Sequence, residues 1–145
     1  MVLLGAQNAL WLTAQVLLTQ RRTAVAEEPC YHGLRDVLNQ TRCHLMPVKV
    51  DADGLPCDGL PDQADVVFTT PSHQSPTNVT MPLTRRQQLL EQAARMGALI
   101  VEDDYEFELS FLNPPLPALK SLDQDGRVIY IGSFSKSIFP GLRLG

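Results

Sequence analysis

Residues 84–108 read TRRQQLLEQAARMGALIVEDDYEFE, and this stretch indicates the class of fold. Its first half repeats apolar side chains at the spacing of one helix face, which predicts a helix over 84–96. Gly97 supplies the left-handed backbone conformation with which many helices end. The run that follows, 97–103, is almost continuously apolar, as in strands whose sheet is covered on both faces. One helix and one buried strand, joined by a glycine, are therefore predicted here.

Two local patterns refine the predicted helix. Thr84 and Gln87 have the spacing of a capping box, in which two side chains satisfy free backbone N–H groups at the start of a helix. The stripe predicted to face the core consists of Leu89, Leu90, Ala93, Ala94 and Met96.

The same alternation of apolar runs and helical patterns extends over the rest of the chain. Loops are predicted at 51–63 and 71–83, which are rich in Asp, Gly, Pro and Ser. The other predicted helices span 6–19 and 32–42, and the predicted strands span 2–4, 23–28, 44–50, 65–70, 97–103 and 127–133. This order predicts an α/β fold of three layers, α/β/α, with a mostly parallel sheet in a single unit.

The composition narrows the class of protein. With 44% hydrophobic and 19% charged residues, the 145-residue chain has the make-up of a globular domain, and its net charge of −4 argues against a nucleic-acid-binding face. Cys30, Cys43 and Cys57 are odd in number and lack C-x-x-C spacing, which favours free thiols in a reducing, cytoplasmic setting. The apolar stretch 1–22 has its arginines at the wrong end for a signal peptide, and polar residues interrupt it, so no membrane segment is predicted.

In an open parallel sheet, functional groups collect beyond the carboxyl ends of the strands. Five segments of this chain are predicted to lie at that edge, namely 5–7, 29–31, 71–78, 103–105 and 133–136. Although scattered in sequence, they are expected to line one site.

Lys136 is the most informative residue of these segments. Small residues flank it, and Ser133 and Ser135 offer hydroxyl groups to an anion. Arg143 adds a planar guanidinium that suits a phosphate. A lysine in such a pocket can lose its proton and attack a carbonyl as an amine, whereas the alternative is an ordinary exposed lysine in a loop.

Three consecutive acids, Glu102, Asp103 and Asp104, end the predicted strand. Crowded carboxylates cost free energy unless positive charge lies nearby. One interpretation is a solvated acidic loop. A second is a metal site, although no histidine lies close in sequence and the spacing matches no usual ligand set. A third is a carboxylate that pairs with the protonated ring nitrogen of a cofactor.

Two further segments offer groups for a ligand at the same edge. The sequence GAQNAL opens a predicted helix at Gly5, Ala6 and Gln7, and helix N-termini bind phosphate through free backbone N–H groups. Tyr31 offers an aromatic face beside a proline. Together, these groups describe a site for an aldehyde-bearing, phosphorylated and protonated aromatic ring, and that ligand is pyridoxal 5′-phosphate.

The sequence resembles the fold-type-I pyridoxal-phosphate enzymes of the class I/II aminotransferase family. Within that family, it is most similar to the aminotransferase-like domain of MocR-type transcriptional regulators of the GntR family. The segments around Asp103 and Lys136, 33 residues apart, are the most specific. The matching stretches follow the family order over nearly the whole chain: GAQNAL, EEPCYHGLRDVL, VDADGL, TTPSHQSPTN, PLTRRQQLLEQA, IVEDDYEFE and YIGSFSKSIFPGLRLG.

The resemblance implies three catalytic residues. Lys136 would carry the cofactor as an aldimine and then act as the general base that moves the substrate proton. Asp103 would face the pyridine nitrogen and keep it protonated. Tyr105 would donate a hydrogen bond to the phenolic oxygen of the ring.

The remaining cofactor contacts are implied in the same way. The phosphate would be held by Ser133, Ser135 and Arg143 together with the N-terminal residues Gly5, Ala6 and Gln7, and Tyr31 would stack on the ring.

Two positions depart from the family pattern. Where many aminotransferases have Asn-Pro-Thr-Gly, this chain has Ser75 followed by Pro-Thr-Asn, and a serine is too short to reach the phenolic oxygen unaided. His73 or Gln74 is expected to make that contact instead. Cys30 replaces the glycine that is usual before the tyrosine, which leaves the conformation of that loop open.

The resemblance also implies that residues 1–145 are part of a cofactor-binding large domain in a longer, homodimeric protein. The family's N-terminal segment and C-terminal small domain are not in this sequence, so the 145-residue chain alone is expected to bind the cofactor weakly and not to transaminate. Three functions stay open. They are amino-group transfer between amino acids and 2-oxo acids, effector sensing in a MocR-type regulator that binds DNA through another domain, and an inactive remnant.

Overall fold

The computed structural model describes residues 1–105, 116–134 and 144–145. The strands in these ranges are β1 (Thr23–Glu28), β2 (His44–Lys49), β3 (Val66–Thr69), β4 (Leu99–Asp104) and β5 (Val128–Gly132). The helices are α1 (Ala6–Leu17), α2 (His32–Thr41), α3 (Leu83–Met96) and the single turn α4 (Leu119–Leu122). The strands form one sheet in the order β2-β1-β3-β4-β5, and every neighbouring pair is parallel.

Helices cover both faces of the sheet. Alternate strand residues point to opposite sides, and the apolar ones on each side pack against helices. On one side, a buried cluster joins α1 and α2 to Ala24, Ala26, Phe68 and Val101 of the strands. On the other side, a second cluster joins α3 and α4 to Val25, Val67, Ile100 and Val128. The predicted three-layer α/β/α fold with a parallel sheet is confirmed.

Most predicted elements lie within one or two residues of the observed ones, and β1 has its predicted bounds. The strand predicted at 2–4 is wrong. Leu3 exchanges backbone hydrogen bonds with Gly145, at N···O distances of 2.8 and 3.3 Å, but no strand forms. Met1, Val2 and Leu4 are exposed, and only Leu3 packs against the core, so this run has one apolar contact to hold it in place.

The capping box predicted for α3 is also wrong. The helix begins at Leu83 after Pro82 as N-cap, and no side chain caps it, so Thr84 already lies in the first turn. A proline is suited to this end of a helix because it lacks the N–H that would be left unsatisfied. Gly97 ends the helix as predicted, with φ of 71°.

The stripe predicted for α3 is buried at Leu89 and Ala93 and half-buried at its other positions. The helix also buries Arg86, which no pattern in the sequence predicted. No helix in the described ranges is both long enough and apolar enough to cross a lipid bilayer.

Candidate functional site

Parallel strands end at a common edge, so the segments that follow β1, β3, β4 and β5 lie on the same side of the molecule. The start of α1 reaches this edge as well. A Cβ added to Gly145 would lie 2.8 Å from the Ala6 nitrogen and 2.9 Å from the Gly132 oxygen at the end of β5. Of the predicted site residues, Ser135, Lys136 and Arg143 lie outside the described residues.

Asp103 is the central polar residue of this edge. It is 7% exposed, and its Oδ1 has no hydrogen-bond partner among the residues that the structure describes. Burial raises the pKa of the Asp103 carboxyl to about 7, and the charges of Asp104 and Glu27 add to the effect. Such a carboxyl is suited to pair with a buried cation or a proton donor.

The three consecutive acids do not share one site. All three are buried, so a solvated acidic loop is the wrong interpretation. Alternation along β4 turns Asp103 towards the α1 and α2 side, with Val101, and turns Glu102 and Asp104 towards the α3 side.

Glu102 and Asp104 have their own partners on the α3 side. The Glu102 carboxylate accepts the backbone N–H groups of Leu119 (2.8 Å) and Lys120 (2.9 Å) at the start of α4. Asp104 accepts a hydrogen bond from the Tyr130 hydroxyl at 3.2 Å. Burial raises the pKa of both carboxyls. These two acids therefore have structural contacts, and Asp103 is the acid that faces the predicted site.

Asp103 and Tyr31 line the same pocket, although they come from different strand ends. The pocket walls combine apolar and polar side chains, namely Leu10, Leu34, Phe68 and Val101 with Glu27, Cys30, Tyr31, Thr69, Thr70 and Asp103. The cavity among the described residues has a volume of about 10 Å³, room for a single water molecule, so it marks where these side chains converge and is too small by itself to enclose a cofactor.

Tyr31 is held close to the start of α2 by a glycine. A Cβ on Gly33 would lie 2.6 Å from both the Tyr31 ring and the Gln7 Oε1, so a larger residue would displace one of them. The Gln7 Nε2 donates to the Gly33 carbonyl at 3.1 Å, which ties the start of α1 to the start of α2. Gln7 and Tyr31 thus lie next to each other, as the prediction of a shared site requires.

The loop after β3 brings His73 and Ser75 to the same edge, but Gln74 has no free group for a ligand. It is 1% exposed, and both ends of its amide are bonded within the protein. The expectation that Gln74 contacts the ring is therefore wrong. His73 is half-buried and close enough to Asp104 to oppose the rise that burial causes in the pKa of that carboxyl.

The remaining predicted residues occupy the expected positions along the edge. Tyr105 follows β4 directly and Ser133 follows β5, and both side chains are half-buried. Gly5 is the N-cap of α1 with φ of 80°, and no side chain caps that helix.

Sequence reasoning missed two buried charged residues near the site. Glu27 is 2% exposed at the end of β1 and accepts hydrogen bonds from the loop after β3. Arg86 has no exposed surface and donates to three backbone carbonyls, at Met81 (3.0 Å), Pro71 (2.9 Å) and Pro117 (2.9 Å). The position of Glu27 within a predicted buried strand was a weak signal for it, whereas Arg86 follows another arginine and gave none.

Comparison with known proteins identifies a family whose members have similar sequences and structures. The sequence model described as aminotransferase class I and II matches residues 1–145. The HTH-type transcriptional regulator TauR of Rhodobacter capsulatus is 53% identical over 145 residues, which are 100% of this chain and 30% of TauR. The probable rhizopine catabolism regulatory protein MocR of Rhizobium meliloti is 39% identical over 97% of this chain and 29% of its own length.

Among solved structures, the kynurenine aminotransferase of Pyrococcus horikoshii, in complex with PMP, superposes with a TM-score of 0.96 and 35% identity. The match covers 100% of this chain and 38% of that one. The chain thus spans roughly a third of the length of these relatives.

Proposed function

The chain belongs to the aminotransferase class I and II family, and on this premise we propose that residues 1–145 form part of a domain that binds pyridoxal 5′-phosphate and serves amino-group transfer between amino acids and 2-oxo acids. The observation that carries the proposal is the buried Oδ1 of Asp103, which has no partner within residues 1–105, 116–134 and 144–145 and lies in a pocket wall that Tyr31 also lines. The PMP in the structurally similar kynurenine aminotransferase supports the choice of cofactor.

The described residues fit this cofactor. A protonated pyridine nitrogen needs a buried acceptor, and Asp103 offers one in a pocket with the aromatic face of Tyr31. A phosphate needs donors and a positive field, and the N-terminus of the 12-residue α1 has neither a side-chain cap nor an acidic residue in its first turn. When bound, the cofactor supplies an electron sink that stabilises negative charge on the amino acid's α carbon.

Different residues of the proposed site would bind different parts of the cofactor. Asp103 holds the charge that opposes the ring cation, and its burial strengthens that interaction because water is excluded. Tyr31 covers one face of the ring. In the proposal, Gly5, Ala6 and Gln7, with Ser133, would hold the phosphate, and Tyr105, His73 and Ser75 would contact the phenolic oxygen of the ring.

Lys136, Ser135 and Arg143 complete the proposed site. β5 ends at Gly132 on the edge that carries Asp103, and Lys136 follows four residues later. In the proposal, Lys136 would be the residue that holds the cofactor through its side-chain amine, and the same amine would accept the proton from the amino acid's α carbon.

The sequence of TauR favours a second function for the same site. At 53% identity, this regulator is more similar to the chain than the kynurenine aminotransferase is, at 35%. In this alternative, the cofactor site senses an amino acid, and DNA binds to a segment outside residues 1–145. Measuring turnover and DNA affinity distinguishes the two functions. An aminotransferase converts a 2-oxo acid in the presence of an amino donor, whereas a sensor changes its DNA affinity without turnover.

The proposal also includes a homodimer and an amino acid or 2-oxo acid as ligand. A cytoplasmic setting is supported by Cys30, Cys43 and Cys57, which are free thiols.

Lys136→Ala tests the cofactor assignment. We expect the protein to develop the near-visible absorbance of lysine-bound pyridoxal phosphate and expect the variant to lack it, because alanine has no amine. Far-ultraviolet circular dichroism provides the control for folding, and Lys49→Ala on the edge strand β2 is the matched lysine variant that should keep the band. A band that survives in Lys136→Ala contradicts the assignment.

A further inference from the structure

Glu27 is a buried carboxylate whose two oxygens are both occupied. Oε1 accepts from the Thr69 hydroxyl (2.6 Å) and the Thr70 N–H (3.2 Å). Oε2 accepts from the Thr70 hydroxyl (2.7 Å) and the Gln74 Nε2 (3.1 Å). Four donors on one carboxylate compensate for its loss of water, so Glu27 is a fixed acceptor at the end of β1.

Gln74 joins this acceptor to two separate backbone segments. The carbonyls of Pro29 (2.7 Å) and Ser75 (2.9 Å) also lie within hydrogen-bond distance of its Nε2, so the two amide hydrogens are shared among three acceptors. Its Oε1 accepts from both the N–H (3.0 Å) and the hydroxyl (2.6 Å) of Thr77. One side chain thus connects the turn that precedes Tyr31 to the loop that contains Ser75.

These two segments form neighbouring parts of the pocket edge. Pro29 lies two residues before Tyr31, which lines the pocket, and the Ser75 N–H is held by the Thr70 hydroxyl at 3.2 Å, with Thr70 also in the pocket wall. A shift of the Gln74 amide would therefore move the aromatic wall and the loop together.

We propose that Gln74, bonded to Glu27, is a positioning residue that holds the Tyr31 turn and the Ser75 loop in one register around the cofactor pocket; this inference rests on the proposed function. A primary amide is required because Glu27, Pro29 and Ser75 present acceptors at one end of the side chain, whereas Thr77 presents donors at the other. Neither a carboxylate nor an ammonium group supplies both polarities.

Gln74→Glu tests this role because it keeps the size of the side chain and removes its donor. An ionised carboxyl at this position faces three acceptors, whereas a protonated one can still donate a single hydrogen bond. The titratable groups nearest to it are Glu27, which it contacts, and His73, which precedes it in the chain, and the pocket wall that contains Glu27 adds Cys30, Tyr31 and Asp103. We therefore expect a pH-dependent defect that the wild-type protein lacks.

The first readout is independent of the cofactor. In the cofactor-free variant, we expect the amide resonances of Tyr31–Leu34 and of Ser75–Thr77 to shift with a common pH midpoint, since a single side chain holds both segments. A shift confined to Ser75–Thr77 overturns the proposal. Gln88→Glu, an exposed position on α3, is the matched control and should leave both sets of resonances unchanged.

The second readout is the dissociation constant of pyridoxal phosphate. We expect Gln74→Glu to weaken binding about tenfold above the midpoint and to recover most of that loss below it. Unchanged affinity at every pH overturns the positioning role. If the wild-type protein does not bind the cofactor, the proposed function fails, and the coupling of the two segments is then judged from the resonances alone.

If Gln74→Glu does not fold, Thr77→Val is a second variant that tests the same positioning role of Gln74. It removes the hydroxyl that donates to the Gln74 Oε1 and leaves the backbone donor in place. Smaller shifts in both segments support the proposal, whereas shifts in the Ser75–Thr77 segment alone contradict it.

Discussion

Asp103 illustrates how burial decides which chemistry a carboxyl can perform. Glu102 accepts backbone hydrogen bonds with both oxygens, and Asp104 accepts one from Tyr130 with its Oδ2. The Oδ1 atoms of Asp103 and Asp104 both have no partner in the described part of the chain, but only Asp103 lies on the α1 and α2 side, in the pocket wall. Without a cationic ligand, the low-cost state of such a group is the protonated acid. A cation in the pocket would reverse this preference, so ligand binding and the loss of the Asp103 proton are coupled.

Asp103→Asn therefore should change how stability depends on pH. The pKa of Asp103 is about 7 in the folded, cofactor-free protein, above its ordinary value of 3.8. Between these values, the unfolded chain has released the proton and the folded chain retains it, so stability falls as pH rises through this window. Over this pH window, the free energy of unfolding of the wild-type protein should fall by up to about 4 kcal/mol more than that of the Asp103→Asn variant.

Urea denaturation of the cofactor-free wild-type and Asp103→Asn proteins between about pH 4 and pH 8 measures this difference. Parallel stability curves for the two proteins would show that the carboxyl is already ionised near its ordinary pKa.

At the scale of secondary structure, α3 and the loop before it are held together by a buried arginine. Arg86 donates to the carbonyls of Met81 and Pro71, at the two ends of the 71–82 loop, and to Pro117 before α4. Its neighbour Arg85 instead forms ion pairs with Asp51 and Asp53, whose side chains are 46% and 59% exposed. Two adjacent arginines thus have different roles, because Arg86 bonds buried backbone carbonyls, whereas the half-buried Arg85 bonds carboxylates at the surface.

Arg86→Met should destabilise the protein by about 3 kcal/mol or more, because it leaves three carbonyls without their donor. Arg85→Met is the matched control and should cost about 1 kcal/mol or less, as expected for a surface ion pair. Denaturant unfolding of both variants at neutral pH gives the comparison. Equal losses in the two variants would mean that the buried contacts add nothing beyond those at the surface.

At the scale of the whole molecule, the strand order places the site where the connections reverse direction. From β1 the chain passes through α2 to β2 on one side, whereas β3 passes through α3 to β4 on the other. The crevice between the carboxyl ends of β1 and β3 is the switch point at which open α/β sheets bind ligands. Glu27, Thr69 and Gln74 meet there.

Cofactor binding should therefore protect one edge of the sheet from amide hydrogen exchange. Pyridoxal phosphate is expected to slow exchange in 29–34, 70–77 and 103–105, which follow the carboxyl ends of strands. The segments that enter the sheet at the opposite edge, 19–22 and 97–98, should be unchanged. Hydrogen exchange followed by mass spectrometry, with and without the cofactor, measures this pattern. Protection centred on the second pair of segments would place the ligand elsewhere.

Local sequence patterns predicted the sheet well because its strands are apolar runs with clear ends. β1 is bounded by two arginines on one side and by Pro29 on the other, and both of its ends were predicted. Asp103 was identified because it lies at a strand end in a stretch that resembles a known family. The capping box was wrongly predicted because the spacing of Thr84 and Gln87 suits one. The N-cap position is instead occupied by Pro82, two residues earlier.

The buried polar contacts were not predictable in this way. The donors to Glu27 lie 42 to 47 residues away in sequence, and Arg86 reaches Pro117 across 31 residues. A local sequence pattern cannot predict partners so far apart in the chain. The Glu27 contacts form only when β1 and β3 pair, and the Arg86 contacts form only when α3 packs on the sheet.

The alternation of the three acids along β4 makes the site sensitive to the length of one short segment. Removing a single residue from 99–101 while β4 keeps its start would shift every later side chain to the other face of the sheet. Asp104 would then face the pocket, and Asp103 would take the place of Glu102 at the start of α4. Such a deletion would exchange a binding carboxyl for a structural one without changing the number of acids at the site.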